Sequence, residues 1–428
     1  MKSSNYNLYS KTNKGIICFN TKTENFGLIP DTVYELIKNN LLTEIPQSIY
    51  NKLTDLEFLI DDNRDEYHEI VKKYNSKIND NIYNLILIPS LDCNVRCWYC
   101  FEKQIKGSRL NKRTQDAIFR HVQNIMQNDN IETLIIDLFG GEPLLHFEED
   151  VFPLLSKIKE HVESLHKRVA FFTITNGLCI SDNMLPKFKE LNTAFQISID
   201  GYKDVYNKVK KIQGSNEEPY EIIIEVIKKL TNCGASINLR INYDDKTIDH
   251  IEGIIQDLKD VDRTKILIHL ERIWQTKQIN SSKSIKNIID TFLANGFRVS
   301  YMNFFDRGFS CKASKPNQSA ISYNGDVYKC TGRDFTDKMK DGVLLENGNI
   351  NWFNEKLDNR LSIITYENDL CKRCKYLPLC YGPCCQKQLE GGIDQVKKYC
   401  QLEYIEMSED EYVLFRFNDA LIKNNFNA

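Results

Sequence analysis

Residues 91–102 read LDCNVRCWYCFE and place Cys93, Cys97 and Cys100 within eight positions. Three thiolates at that spacing are a metal-binding set. A structural zinc site closes a tetrahedron with four ligands, and no fourth lies nearby. A cubane 4Fe-4S cluster held by three cysteines instead keeps one iron open for a ligand that is not protein. A second cysteine field follows far along the chain. It reads Cys311, thirteen residues, Gly325, four residues, Cys330, then Cys371-x2-Cys374-x5-Cys380-x3-Cys384 and finally Cys400. A zinc ribbon would need only four of these. The start of the chain, MKSSNYNLYSKTNKG, has no apolar export segment, so the thiols are expected to stay reduced and to serve as metal ligands rather than disulfides. Of the 14 cysteines, Cys18, Cys179, Cys233 and Cys385 stand outside this pattern, and Cys179 and Cys233 read as small buried hydrophobes.

The elements that must position these thiols can be read from periodicity. Apolar strand-like runs at 85–90, 133–139, 169–175, 194–200, 235–242 and 265–271 alternate with amphipathic helical stretches such as RTQDAIFRHVQNIMQ and YEIIIEVIKKL. Six βα units in sequence predict an α/β fold: a parallel sheet curled into a partial (β/α)6 barrel over residues 81–298, with its chemistry at the C-terminal strand ends. Cys93, Cys97 and Cys100 then sit on the loop after the first of these strands. Residues 1–80 read as a small α+β domain, with strands in GIICF and ENFGLI and helices in DTVYELIKNN and DEYHEIVKKYN. After about residue 300 the rhythm stops, giving a cysteine-rich extension over 299–402 and a last helix in 403–428 opened by a capping-box pair, Ser408 and Glu411. With 42% hydrophobic and 27% charged residues of interspersed sign, nothing in the composition asks for nucleic acid, and no apolar run is long enough to span a bilayer. The expectation is a cytoplasmic globular protein.

The C-x3-C-x2-C motif, with the aromatic Tyr99 before its third cysteine, resembles the radical S-adenosylmethionine (SAM) enzymes. The resemblance implies that SAM chelates the open iron and is cleaved by one electron to a 5'-deoxyadenosyl radical, which abstracts a substrate hydrogen. The Gly140-Gly141-Glu142-Pro143 stretch, after the second strand, resembles the family segment that holds the SAM ammonium with backbone carbonyls. Thr175-Asn176 and Ser198-Ile199-Asp200 end the third and fourth strands and resemble segments lining the SAM pocket, with Ser198 expected to hydrogen-bond SAM. Lys210 stands where related enzymes carry an arginine near the SAM carboxylate, and Arg240 is a second candidate for that charge. A lysine lacks the bidentate fork of arginine.

The second cysteine field is similar to the SPASM extension, which implies two auxiliary 4Fe-4S clusters and three clusters in all. The resemblance assigns Cys311, Cys330 and Cys384 to the cluster nearer the active site and Cys371, Cys374, Cys380 and Cys400 to the distal one. The proximal set has three clear ligands, so either its fourth iron is open or Cys385 fills it. Enzymes of this kind act mostly on peptides or proteins. The expectation is a maturase that installs a thioether or carbon-carbon crosslink on a ribosomally made precursor peptide and takes electrons from a donor such as flavodoxin or ferredoxin, with residues 1–80 either gripping the leader in a winged-helix-like manner or forming a lid over the barrel. Two other outcomes stay open on the same machinery: oxidation of a protein Cys or Ser in the manner of anaerobic sulfatase maturases, and peptide epimerisation. In the former, relatives carry an aspartate immediately after the second SPASM cysteine, where this chain has Thr331, with Asp334 three residues on. A non-catalytic iron-sulfur or zinc protein is the reading of a different class.

Overall fold

The computed structural model describes residues 1–248, 250–276, 284–301 and 308–426. In the first 80 residues, β1 (Lys2–Ser3), β2 (Asn7–Thr12), β3 (Gly15–Asn20) and β4 (Phe26–Ile29) precede α1 (Asp31–Lys38), α2 (Gln47–Asp55), β5 (Leu59–Ile60) and α3 (Glu66–Ile78). Strands β2, β3 and β4 form an antiparallel sheet, and β1 pairs with β5. Asp65 caps α3 by accepting from the His68 backbone N–H at 3.0 Å.

The main body alternates strand and helix: β6 (Ile82–Ile88), α4 (Lys112–Met126), β7 (Thr133–Leu138), α5 (Phe152–Ser164), β8 (Arg168–Thr175), α6 (Leu185–Leu191) and β9 (Ala194–Ser198). It continues through α7 (Lys203–Val209), α8 (Pro219–Asn232), β10 (Ile237–Tyr243), α9 (Gly253–Asp257), β11 (Ile266–Arg272), α10 (Ile285–Ala294) and β12 (Arg298–Tyr301). All seven strands are parallel and stand in sequence order, which is the expected α/β arrangement with one strand more, β12, added beside β11. The helices form because their apolar residues recur at helical spacing. On α8, Tyr220, Ile223, Ile224, Ile227 and Leu230 face the sheet, and Pro219 occupies the first turn, where its missing N–H costs nothing.

The extension carries β13 (Gln318–Ser322), β14 (Asp326–Tyr328), β15 (Gly342–Leu344) and β16 (Ile350–Trp352), then α11 (Asn354–Leu361), α12 (Asp369–Lys372), α13 (Leu377–Cys380), α14 (Cys385–Gly391) and α15 (Glu409–Phe426). Strand β13 pairs parallel with β6, so the extension continues the main sheet on the edge opposite β12, and every residue of QSAIS is buried. This placement puts the second cysteine field beside the strand that carries the first. Helix α15 starts at the expected capping box: the Ser408 N–H donates to Glu411 Oε2 at 2.8 Å and the Glu411 N–H to Ser408 Oγ at 3.3 Å.

The N-terminal sheet has two cores. One face, with Ile16, Cys18 and Ile29, packs on Val33, Ile37 and Leu53 of its own helices. The other face, with Leu8, Ile17 and Phe19, joins the main core, where Tyr412, Val413 and Phe415 of α15 meet it. Cys179 is half-buried and Cys233 is exposed, which corrects the reading of Cys233 as a buried hydrophobe; it lies just past the end of α8, where the chain turns outward.

Candidate active site

The loop after β6 is held in place before any ligand arrives. Asp92 Oδ1 accepts from the Cys93 N–H at 2.8 Å and Asp92 Oδ2 from the Gly107 N–H at 2.7 Å, while Gln213 Nε2 donates to the Cys93 carbonyl at 3.1 Å. Cys93 is buried, Cys97 half-buried and Cys100 exposed. Burial pushes the Cys93 thiol up to about 12.

Gly140 and Gly141 follow β7 and lie against this loop. The Gly141 N–H donates to the Ser90 carbonyl at 3.1 Å and the Glu142 N–H to the Asp92 carbonyl at 2.8 Å. A Cβ at Gly141 would stand 2.3 Å from Asp92 O, and one at Gly140, where φ is +113°, 2.6 Å from Ser90 O. The glycines therefore let two backbones meet, fixing the cluster loop against the β7 end. Gly141→Ala is expected to push this loop aside by a sizeable fraction of an ångström and to lower SAM cleavage about a hundredfold, read as the initial rate of 5'-deoxyadenosine release with dithionite.

Glu142 and Pro143 lie behind the cavity wall rather than on it. Glu142 is fully buried and accepts from the Asn176 N–H at 2.9 Å, from Thr175 Oγ1 at 2.8 Å and from the Leu144 N–H at 3.1 Å. Burial raises its pKa, against the pull of these donors. The carboxyl thus ties the β7 end to the β8 end. Asn176, oriented this way, donates to Asn94 Oδ1 at 2.8 Å and reaches Cys93 Sγ at 3.7 Å.

A buried ionic group underlies the other wall. Lys210 Nζ lies 3.0 Å from Asp200 Oδ2, 3.1 Å from Tyr99 OH and 3.3 Å from Cys97 Sγ. Tyr99 OH donates to Asp200, and Asn242 Nδ2 donates to Asp200 Oδ1 at 2.8 Å. Burial works against the lysine charge, yet Asp200, Tyr99 and Cys97 hold its pKa above the ordinary lysine range. Arg240, two residues before Asn242 on β10 and so on the same face, donates from Nε to Asn242 Oδ1 at 2.8 Å. Asp200 is the buried anchor of this group, and Lys210 is its cation on the cavity side.

These walls enclose a cavity of about 390 Å³. Cys93, Cys97, Tyr99, Cys100, Gly140, Gly141, Thr175, Asn176, Ser198, Lys210 and Arg240 all line it, so the structure brings the expected set together apart from Glu142, Pro143 and Asp200. Sequence reasoning missed six polar lining residues, Glu102, Gln104, Gln196, Asn242, Arg272 and Gln275. Asn242 and Arg272 are polar positions at the C-terminal end of apolar strands, which is a usable signal. Glu102, which also lines the cavity, had only its place after the third cysteine, and burial pushes its carboxyl up to about 7. Thr331 and Gly332, from the loop after Cys330, complete the lining.

The second cysteine field separates into two sets in space. Cys371, Cys374, Cys380 and Cys400 line one small cavity of about 50 Å³. Burial, and then the neighbouring Cys371, Cys374 and Cys400, push the Cys380 thiol up to about 12. Burial, with Cys311 and Cys384 adding to it, likewise pushes Cys330 up to about 12. Cys385 is buried beside Cys384 and Cys311, and its Sγ donates to the Arg360 carbonyl at 3.7 Å. Among the described residues no three His, Cys, Asp or Glu side chains converge on a single ion. A cube of irons binds each thiolate at its own corner and so suits thiols that gather without converging. The donor sets fit iron-sulfur clusters in that respect, and the cationic, glycine-walled cavity fits a zwitterionic ligand at the first of them.

Comparison with known proteins agrees with this geometry. The radical SAM superfamily profile matches residues 87–258. The cysteine-type anaerobic sulfatase-maturating enzyme of Clostridium novyi is 24% identical over 329 residues, covering 70% of this chain and 87% of that enzyme. The radical SAM cyclopropyl synthase TigE of Paramaledivibacter caminithermalis is 22% identical over 412 residues, covering 87% of this chain and 81% of the synthase. The solved structure of native anSMEcpe with bound AdoMet superposes with a TM-score of 0.58 at 18% identity, over 80% of this chain and 100% of that one, a likeness of fold. A parallel sheet with three cysteines at its first strand end, the glycine pair beside them and the matching superfamily profile together make residues 87–258 a radical SAM domain, and the chain that carries it is an enzyme.

Proposed function

We propose that this enzyme is a peptide maturase that removes hydrogen from a ribosomally made precursor and installs a thioether or carbon-carbon crosslink. The observation that carries this reading is the shared cavity: Thr331 and Gly332, beside Cys330, wall the same space as Cys93, Cys97 and Cys100. A substrate there lies against the first cysteine set and against the loop that follows Cys330. When bound, SAM and the cluster on Cys93, Cys97 and Cys100 supply a 5'-deoxyadenosyl radical. Lys210, Arg240 and Ser198 would offer donors to the SAM carboxylate, and backbone carbonyls of the Gly140–Gly141 stretch would take its ammonium. Cys311, Cys330 and Cys384, and separately Cys371, Cys374, Cys380 and Cys400, would hold two auxiliary clusters, which would supply a place for the second electron. A cytoplasmic donor such as flavodoxin or ferredoxin supplies the first. Among the described residues no helix is long and apolar enough to cross a membrane.

The leader has a place to dock. Strand β4 pairs only with β3 among the described residues, and Leu28 on it is exposed. An extended leader added to that edge gains main-chain hydrogen bonds with little demand on sequence.

The test is the mass of the precursor peptide encoded beside the gene, before and after anaerobic incubation with reduced, reconstituted enzyme and SAM. Loss of two hydrogens is expected, with much slower conversion of the same peptide lacking its leader. An unchanged mass with deuterium uptake from solvent would indicate epimerisation instead. Oxidation of a protein Cys or Ser is the second reading, favoured by the likeness to the maturating enzymes. It is weakened by Thr331, which puts a neutral hydroxyl on the cavity wall where those enzymes carry an aspartate, while Asp334 is not among the lining residues. Activation of a co-expressed sulfatase would establish it.

A further inference from the structure

The cavity contains one acidic group that the chain leaves without a complement. Glu102 follows Cys100 and Phe101, both exposed on the rim, yet its Oε2 is fully covered and finds no hydrogen-bond partner among the described residues. The residue lines the cavity while half-buried, with this one oxygen covered. The cations on the same cavity are engaged elsewhere. Lys210 lies 3.0 Å from Asp200, Arg240 Nε donates to Asn242 at 2.8 Å, and Arg272 lies 3.3 Å from Glu406. A carboxyl with one oxygen covered and without a donor is costly to keep ionised, and a bound molecule that brings a donor to its other oxygen relieves the cost. The same cavity is lined by two aromatic side chains, Phe101, the residue before Glu102, and Trp274, which is 69% exposed. Flat apolar rings next to an acidic group suit the methylene stem and charged head of a lysine or arginine.

We propose that Glu102, with Phe101 and Trp274, forms a subsite for a basic side chain of the substrate peptide and so sets which peptides are accepted. This rests on the peptide reading above and names its specificity. The subsite does not alter the hydrogen abstraction; it holds the peptide beside it. The other source of a cationic group in the same cavity is SAM itself, and the experiment separates the two.

The experiment measures binding of the fluorescein-labelled precursor peptide to the anaerobic, SAM-loaded holoenzyme by fluorescence anisotropy, for wild type and Glu102→Gln. The peptide is also prepared with each Lys and Arg replaced in turn by norleucine. The expected result is about tenfold or greater weakening by Glu102→Gln, and the same loss on wild type for one norleucine peptide. The two changes together should cost no more than either alone, the signature of two groups that contact each other. Additive losses overturn the assignment. So does a wild-type enzyme indifferent to every norleucine replacement, a result that stands even where Glu102→Gln folds poorly. A tight-binding precursor with no Lys or Arg overturns it too. SAM affinity, measured on both proteins without peptide, gives the remaining arm: a loss there as large as the loss in peptide binding moves the carboxylate to SAM. Failure of the wild type to bind any precursor sinks the peptide reading itself, whereas equal binding by wild type and Glu102→Gln sinks only the subsite.

Discussion

Replacing Cys93, Cys97 or Cys100 by alanine is expected to abolish 5'-deoxyadenosine release while leaving the chain folded. Each thiol has one job in the assembled site, and two thiolates do not hold a cube of irons in a defined orientation. The fold has other supports. The loop is fixed by Asp92, Gln104 and Gln213, whose hydrogen bonds go to backbone atoms and not to sulfur. Removing a single small side chain costs on the order of 1–2 kcal/mol, which a core of this extent tolerates. The expected outcome is product below detection in all three variants, with iron content reduced by about one cluster's worth and an unchanged far-ultraviolet circular dichroism spectrum. Retained production in all three would break the assignment of this loop.

Asp200→Asn is expected to be the most destabilising single change at the site that removes no metal ligand. Asp200 is fully covered and Lys210 nearly so, and a buried cation that loses its carboxylate costs about 3–5 kcal/mol. The substitution keeps the shape and leaves one carbonyl oxygen to accept from Tyr99 or Asn242, so the charge is the main loss. Lys210→Met should cost a similar amount through the stranded aspartate. The double variant Asp200→Asn/Lys210→Met should recover most of the stability, because a neutral pair of matching volume leaves no buried charge. Amide hydrogen exchange across β9 and α7, with the first urea transition as a second reading, measures all three. SAM affinity should stay low in the double variant, since its cavity has lost the Lys210 cation. Full additivity of the two single losses would show that the pair does not act as a unit.

The sequence announced the site more completely than the sheet around it. Strands of the main body were legible because their apolar runs are bounded by amphipathic helices, and β6 to β11 fall within three residues of the expected limits. Strand β12 was not, because RVSY is four residues long, too short for its alternation to stand out. Strand β13 was hidden for a different reason: its partner β6 lies more than two hundred residues earlier, and no local pattern reports a pairing of that range. At the site, spacing found the thiols and the glycine pair, since both motifs are contiguous. It could not say which polar residues face the cavity and which hold the wall from behind. The Glu142 and Asp200 side chains are buried behind that wall, while Glu102, two residues past the third cysteine, lines the cavity with one carboxyl oxygen covered.

The pairing of the N-terminal sheet with α15 also governs when the protein can finish itself. Phe19 meets Tyr412 with ring centroids 6.4 Å apart, Phe26 meets Phe417 at 5.6 Å, and Arg416 pairs with Glu24. A ribosome adding about 5–20 residues per second releases Leu8, Ile17 and Phe19 roughly 20–80 s before the helix that covers them. For that interval the nascent chain carries a bare apolar face on its first strands, and a message truncated before α15 yields a product that never covers it. Quality control in the cell is thereby given a simple mark of incompleteness, written on the opposite end of the polypeptide from the part that is missing.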